Sequence, residues 1–356
     1  MKIGIIYHND FKKYDFGPGH PLRGYCFNDE LGFSLVKNNP EINEKAEISF
    51  IEPTPVGDEE ILAVHTEEYL EFIKGLNKEG GYLTPDTPVL NGMYDTAKLF
   101  AGADILAGQM VMDNTVDKSL VFGMIGHHAG ADFGGGFCLI NDIAVMIKVM
   151  QRDYNLKKIM AIDYSINAGH GTSSIFYDTS EVLCIDIHQD PLTLYPGTGF
   201  SEQVGRGDGT GYTVNIPLPP LTRDESFVSV LKEIVAPITR EYKPELIVAV
   251  GLSNGHYSQQ MNQFMLTLKS VKETVGECSQ LSDELCSGRF VHIGGFSVEP
   301  DLLPQSFLST VAGTVNVAVE CDKPHSIPEN IPDVTEDVNA MIENIRAIQK
   351  NYWKVF

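Results

Sequence analysis

The strongest constraint on this chain is a recurrent alternation. Short β-branched or apolar runs are each followed by longer segments whose apolar residues have helical spacing. Residues 2–7, 119–122, 158–162, 182–186, 246–250 and 290–293 read as strands. Residues 58–74, 93–109, 141–154, 224–242, 258–278 and 335–349 read as helices. Apolar strands separated by helices are the pattern of a parallel sheet covered by those helices. The expected class is α/β, with a central, mostly parallel sheet flanked by helices. No internal repeat or compositional break marks a linker, so residues 1–356 are expected to form one domain.

With 43% hydrophobic and 21% charged residues, the chain can bury a sizeable core, which argues against disorder. Its 48 acidic against 26 basic residues give a formal charge of −22. That balance disfavours a phosphate backbone as partner, so no nucleic-acid binding is expected. It suits a cationic small molecule or basic peptide, and equally a solvated acidic surface. The six cysteines form no CxxC pair, hence neither a disulfide framework nor a zinc ribbon. MKIGIIYHND is an apolar run cut short by Asn and Asp, which reads as a first strand rather than a signal peptide. No apolar stretch reaches the roughly 18 residues of a membrane span, and a reducing cytoplasm is the expected compartment.

Open α/β sheets collect ligands beyond the carboxyl ends of their strands, so the loops there carry the search for chemistry. One holds Gly126-His127-His128-Ala129, then Gly134-Gly135-Gly136-Phe137-Cys138. The histidines are either turn residues satisfied by carbonyls, or an acid/base pair beside a loop that lets substrate approach the backbone. In the stretch 161–172, Asp163, Ser165 and Asn167 alternate and share one face of an extended segment; a helix-capping loop explains the Ser and Asn equally well. The glycine-rich stretches 184–199 and 204–219 read as shaped loops. Neither has the pattern of a nucleotide phosphate cradle. Gly251-Leu252-Ser253-Asn254-Gly255-His256 and Gly294-Gly295-Phe296 each follow a strand.

In this order, these segments resemble the histone deacetylase and acetylpolyamine amidohydrolase family, of arginase/deacetylase fold. Phe16-Gly17-Pro18-Gly19-His20-Pro21, Val64-His65 with Glu68-Tyr69-Leu70, and Asp86-Thr87-Pro88 extend the match over most of the chain. The resemblance implies a zinc enzyme in which the metal polarises an acetyl-amide carbonyl and activates water. Adjacent histidines, each oriented by an aspartate, handle protons, and a tyrosine donates to the oxyanion. It assigns the histidine pair to His127 and His128, the first orienting aspartate to Asp163, and the acyl channel to Gly136, Phe137 and Tyr195. The rim aspartate that grips substrate falls on Asp86.

Elsewhere the chain departs from that pattern. The three zinc-ligand positions hold Ser165, Asn167 and Ser253; the second orienting aspartate is His170, and the oxyanion tyrosine is Phe296. Hydroxyls and an amide are weak neutral donors for zinc. All three replacements are neutral, so the pocket needs no cation to offset packed carboxylates. No zinc is therefore expected, while the resemblance implies a monovalent cation near the Asp163 backbone. His170, His188, His256 and Asp186 fall on neighbouring loops but match no zinc spacing. The expected function is metal-free acid/base chemistry by His127 and Asp163, with His128 and His170 beside them, on an acylated or cationic small molecule. Without a Lewis acid or tyrosine donor, that substrate must be more reactive than an acetamide. Ser165 or Ser253 would serve as a nucleophile only with a base in reach. A silent binding or scaffold role is the alternative, ahead of ordinary zinc deacetylation. Residues 210–220 are a candidate contact for a homo-oligomer.

Overall fold

The computed structural model describes residues 1–27, 30–251, 253–295, 297–321, 327–328 and 330–356. Its strands are β1 (Lys2–Ile6), β2 (Glu47–Ile51), β3 (Gly81–Thr84), β4 (Thr87–Val89), β5 (Lys118–Val121), β6 (Ile159–Ile166), β7 (Val182–Gln189), β8 (Thr213–Leu218), β9 (Leu246–Gly251) and β10 (Phe290–Gly294). β3 and β4 form a small antiparallel hairpin. The other eight form one sheet in the order β2-β1-β5-β10-β9-β6-β7-β8, parallel at every pairing. This is the expected α/β architecture.

The six strands legible in the sequence are the six interior ones; the two missed are the edges. The reason is composition, set for most strands by burial. β5, β6, β7 and β9 are buried along their whole length and are mostly apolar or β-branched. β2 is partly exposed, and its sequence is broken by Glu and Ser. β8 carries Thr, Asn and Pro, and lies within the stretch 204–219 that reads as a loop. Pro217 is tolerated because an edge strand has ladder bonds on one side only. β8 is fully buried and α12 (below) packs on it, so the chain itself covers this part of 210–220.

The helices are α1 (Glu30–Lys37), α2 (Pro40–Lys45), α3 (Asp58–Ile61), α4 (Glu67–Glu79), α5 (Met93–Met112), α6 (Asp142–Tyr154), α7 (His170–Ile175), α8 (Asp224–Val230), α9 (Ala236–Tyr242), α10 (Leu268–Leu285), α11 (Leu303–Val315) and α12 (Thr335–Gln349). The expected helix 58–74 divides in two, because the Thr66 side chain accepts from the Tyr69 amide and starts α4 afresh. The expected helix 258–278 begins only at α10, with Thr267 as its cap. One wider helical turn, Leu231–Val235, joins α8 to α9.

Alternate strand residues feed two apolar layers. Ile6, Val121, Ile159, Val248 and Ile293 join the layer that contains α5 and α6 residues. Ile5, Leu120, Met160, Ile247 and Phe290 join the layer of α8, α10 and α11. Each buried Ile, Leu or Val contributes about 1.5–3 kcal/mol relative to exposure.

Asn141 ties this scaffold to the histidine loop. It is fully buried; its Oδ1 accepts from the Ala144 amide at 2.9 Å and caps α6. Its Nδ2 donates to the Ala129 carbonyl at 2.8 Å and to Thr172 Oγ1 at 3.0 Å. Asn141→Ala should remove the cap and leave two buried acceptors short of a donor, destabilising the fold by about 2–4 kcal/mol. Urea unfolding of the two proteins checks this.

Candidate functional site

The loops after β5, β6, β7 and β9 meet at the carboxyl edge of the sheet. The β6–β7 register shifts between Asp163 and Ile166, and Ile166 takes φ of +78°, a left-handed backbone rare for a β-branched residue. This bend ends the regular ladder where Ser165 and Asn167 stand.

Asp163 organises the floor. His127 Nδ1 donates to its Oδ2 at 2.6 Å. Its Oδ1 accepts from the Ser165 amide at 2.9 Å and the Ser165 hydroxyl at 2.5 Å. Burial alone would push the His127 imidazole down, but the Asp163 carboxylate outweighs it and holds the pKa above the ordinary histidine value. His128 has the opposite environment. Its Nδ1 faces the Nδ1 of His170 at 3.2 Å. Burial, then the neighbouring His127 and His170, hold its pKa well below normal. Burial likewise pushes His170 down to about 4. One histidine is thus biased toward imidazolium and two toward the neutral ring.

A cavity of about 240 Å³ opens above this floor. His127, His128, Ser165 and Asn167 line it with Asp86, Gly136, Phe137 and Tyr195, so the structure brings these eight predicted residues together. Gly136 has φ of +54°, and a Cβ there would stand 2.6 Å from His128 Cδ2 and 2.8 Å from Tyr195 Cε1. Only glycine fits. Phe137 is fixed from outside: Tyr14 donates its hydroxyl to the Phe137 carbonyl at 2.8 Å, and His20 meets the ring edge-on at 4.6 Å. Asp86 occupies the turn between β3 and β4, where Thr84 and Thr87 both donate to its Oδ1. Tyr195 stands edge-on to His128 at 4.9 Å, and its carbonyl accepts from Asn167 Nδ2 at 2.8 Å.

The Tyr195 loop is anchored below. His188 Nδ1 bonds Asp186 Oδ1 at 2.6 Å, and its Nε2 donates to the Gly199 carbonyl at 2.8 Å. The Gly199 carbonyl can only accept, so Nε2 carries a proton. The Asp186 carboxylate then favours a second proton on Nδ1, which raises the His188 pKa against the burial that lowers it.

Other expected residues stand apart. Asp163 lies behind His127 rather than on the wall of this cavity. Ser253 is buried, its Oγ has no hydrogen-bond partner among the described residues, and it borders a small void with Tyr164 and Phe227. His170 borders a second cavity. Phe296 lies outside the described residues. Sequence reading missed Leu22, Met124, Ile125, Cys138, Leu194, Asn254, Met261 and Val298, which complete the wall. Cys138, Leu194 and Asn254 carried a signal, as neighbours of Phe137, Tyr195 and Ser253 in loops after strands. Ser165 is no poised nucleophile: its hydroxyl proton goes to Asp163, and the facing His127 nitrogen is Nδ1 at 3.5 Å.

A parallel sheet bearing paired histidines and a glycine-shaped aromatic channel at its carboxyl edge defines a deacetylase-type α/β protein. The histone deacetylase domain model matches residues 31–312, and the chain belongs to that family. It is similar to a probable deacetylase of Archaeoglobus fulgidus, 34% identical over all of both chains. It is also similar to the acetoin utilization protein AcuC of Bacillus subtilis, 30% identical over 82% of this chain and 76% of that one. The crystal structure of the HDA15 HD domain superposes with a TM-score of 0.84 over 100% of this chain and 98% of that one; at 21% identity it supports the fold alone. Among the described residues no helix is long and apolar enough to cross a membrane.

The opposed forces on His127 lead to a direct test. Asp163→Asn removes the carboxylate and leaves the burial. The His127 midpoint should therefore fall from above 6.5 to below it, read by imidazole NMR as a function of pH.

Proposed function

We propose that this chain is a single deacetylase-like domain that performs zinc-independent acid–base chemistry on an acylated or cationic small molecule. The observation that carries this reading is the buried His127–Asp163 bond at 2.6 Å, beneath a cavity whose other floor groups, Ser165 and Asn167, are neutral. In it the carboxylate fixes the imidazole tautomer and stabilises the proton that His127 gains.

The donor set does not fit the zinc ion that the family resemblance implies. Catalytic zinc is held by three protein ligands drawn from imidazole, carboxylate and thiolate. Here the Ser165 hydroxyl is spent on Asp163, the Asn167 amide group donates to the Tyr195 carbonyl, and Ser253 borders a different void. Among the described residues no group of three or more His, Cys, Asp and Glu is placed to hold a metal.

Without a Lewis acid, the carbonyl attacked must already be activated, as in an ester or thioester. Phe137 and Tyr195 flank the acyl group, and Asp86 at the mouth attracts a positive substituent. His127 takes the proton of the attacking water.

The test joins metal analysis of the purified protein to hydrolysis of p-nitrophenyl acetate. Expected are substoichiometric zinc, turnover that survives EDTA, and a loss of about 10²- to 10⁴-fold in His127→Ala. Stoichiometric zinc, with acetyl-lysine cleavage abolished by a chelator, would overturn the reading. Ligand binding without turnover would reduce the pocket to a binding site.

A further inference from the structure

We propose that His128 and His170 form a proton path joining the acyl cavity to a second, surface-reaching cavity on the far side of His170. The path rests on the acid–base reading above, and adds to it a second donor for the leaving group, beside the base that receives the proton of the attacking water.

The geometry runs as a line. His128 lines the acyl cavity, and its Nδ1 is turned away toward His170 Nδ1 at 3.2 Å. With Nδ1 committed on both rings, Nε2 is the nitrogen each has left for the cavity it borders. The second cavity, about 450 Å³, is bordered by His170, Phe133, Ser173, Arg206 and Asn215. It reaches solvent where Phe133 and Arg206 are exposed, and can hold several waters. Phe133 stacks on the His170 ring at 5.7 Å and 14°, which limits how that ring can turn. The charged residues bordering this cavity are Asp186, already bonded to His188, and Arg206, paired with Asp178. Neither bonds His170; the backbone group that acts on both rings is Ala168.

An aspartate behind His128 would hold a proton in place; a second imidazole passes one on. A neutral imidazole has one donor and one acceptor nitrogen, so two in series conduct a proton by exchanging tautomers. Burial keeps both rings in that neutral form, while His127 next door, 4.0 Å between ring centroids, is biased toward the cation.

The step balances. His128 Nε2–H protonates the leaving oxygen or sulfur as its bond to the acyl carbon breaks. The Nδ1 proton of His170 moves to His128 Nδ1, and water in the second cavity protonates His170 Nε2, leaving hydroxide there. Both rings remain neutral in the opposite tautomer. The proton His127 took from the attacking water then returns through His128 and His170 to that hydroxide, which restores water and the starting tautomers. With a nitrophenolate leaving group no forward transfer occurs, and His127 gives its proton to water in the acyl cavity. No oxidant or reductant takes part.

Two arms test this. In the first, His170→Ala and His170→Gln are assayed on phenyl acetate, whose leaving group needs a proton, and on p-nitrophenyl acetate, whose nitrophenolate leaves without one. Both variants should lose about 10-fold or more on phenyl acetate and about twofold or less on p-nitrophenyl acetate. Added imidazole should rescue Ala, which leaves a ring-sized space, but not Gln, which fills it. Equal losses on both esters, or no rescue, would overturn the path. In the second arm, imidazole ¹⁵N NMR follows His128 in the wild-type protein without any substrate. Expected is a neutral ring exchanging between both tautomers, collapsing to one tautomer in His170→Gln. A single fixed tautomer in both proteins would overturn the path. Absent turnover with exchanging tautomers in the wild type would overturn the acid–base reading and leave the path standing.

Discussion

A carboxylate cannot lie at the buried end of a parallel strand unless its oxygens are occupied, and the way Asp163 meets that demand shapes the rest of the site. One oxygen accepts from His127; the other takes both donors of Ser165. The first bond sets the His127 tautomer and raises its pKa. The second draws the chain back on itself just where β6 leaves register with β7 and Ile166 adopts a positive φ. A serine two residues after the aspartate therefore closes a local loop of hydrogen bonds and is not free to engage a ligand.

Around this point the site is built from paired imidazoles in unlike surroundings. His127 meets a carboxylate, His128 meets His170, and His188 meets Asp186 together with a backbone carbonyl. All the rings are largely buried, so burial does not distinguish them. The partner does: an anion favours the imidazolium, while another neutral ring leaves burial unopposed. Three histidines thereby acquire separate environments, and the tasks proposed for His127 and His128 rest on that difference.

Much of this was legible beforehand, for physical reasons. Interior strands declare themselves because both faces are buried and most of their residues are apolar or β-branched; the edges do not, β2 because it is partly exposed and β8 because Thr, Asn and Pro interrupt it. Glycine at 136 was legible as a shaping residue, although the reason is the approach of His128 and Tyr195 from two distant loops. Helix onsets were less legible where a threonine cap, Thr66 or Thr267, restarts or delays the turn inside a long amphipathic pattern. The resemblance puts Ser253 at a zinc-ligand position with Ser165 and Asn167, yet its side chain borders another void. Which way a side chain turns at a strand end depends on packing that spacing does not encode.

By itself the sequence determined the α/β class, the six central strands, the histidine pair and the neutral character of Ser165 and Asn167. These follow from residue chemistry and from periodicity, which are local. The resemblance pairs Asp163 with His127 and puts His170 behind His128; only the tertiary structure decided that the two imidazoles meet through Nδ1 at 3.2 Å, that His170 borders a cavity of its own, and that His127 and His128 are shifted in opposite directions. Desolvation and charge pairing act across a few ångströms, and residues from separate loops come within that range only once the sheet has assembled them.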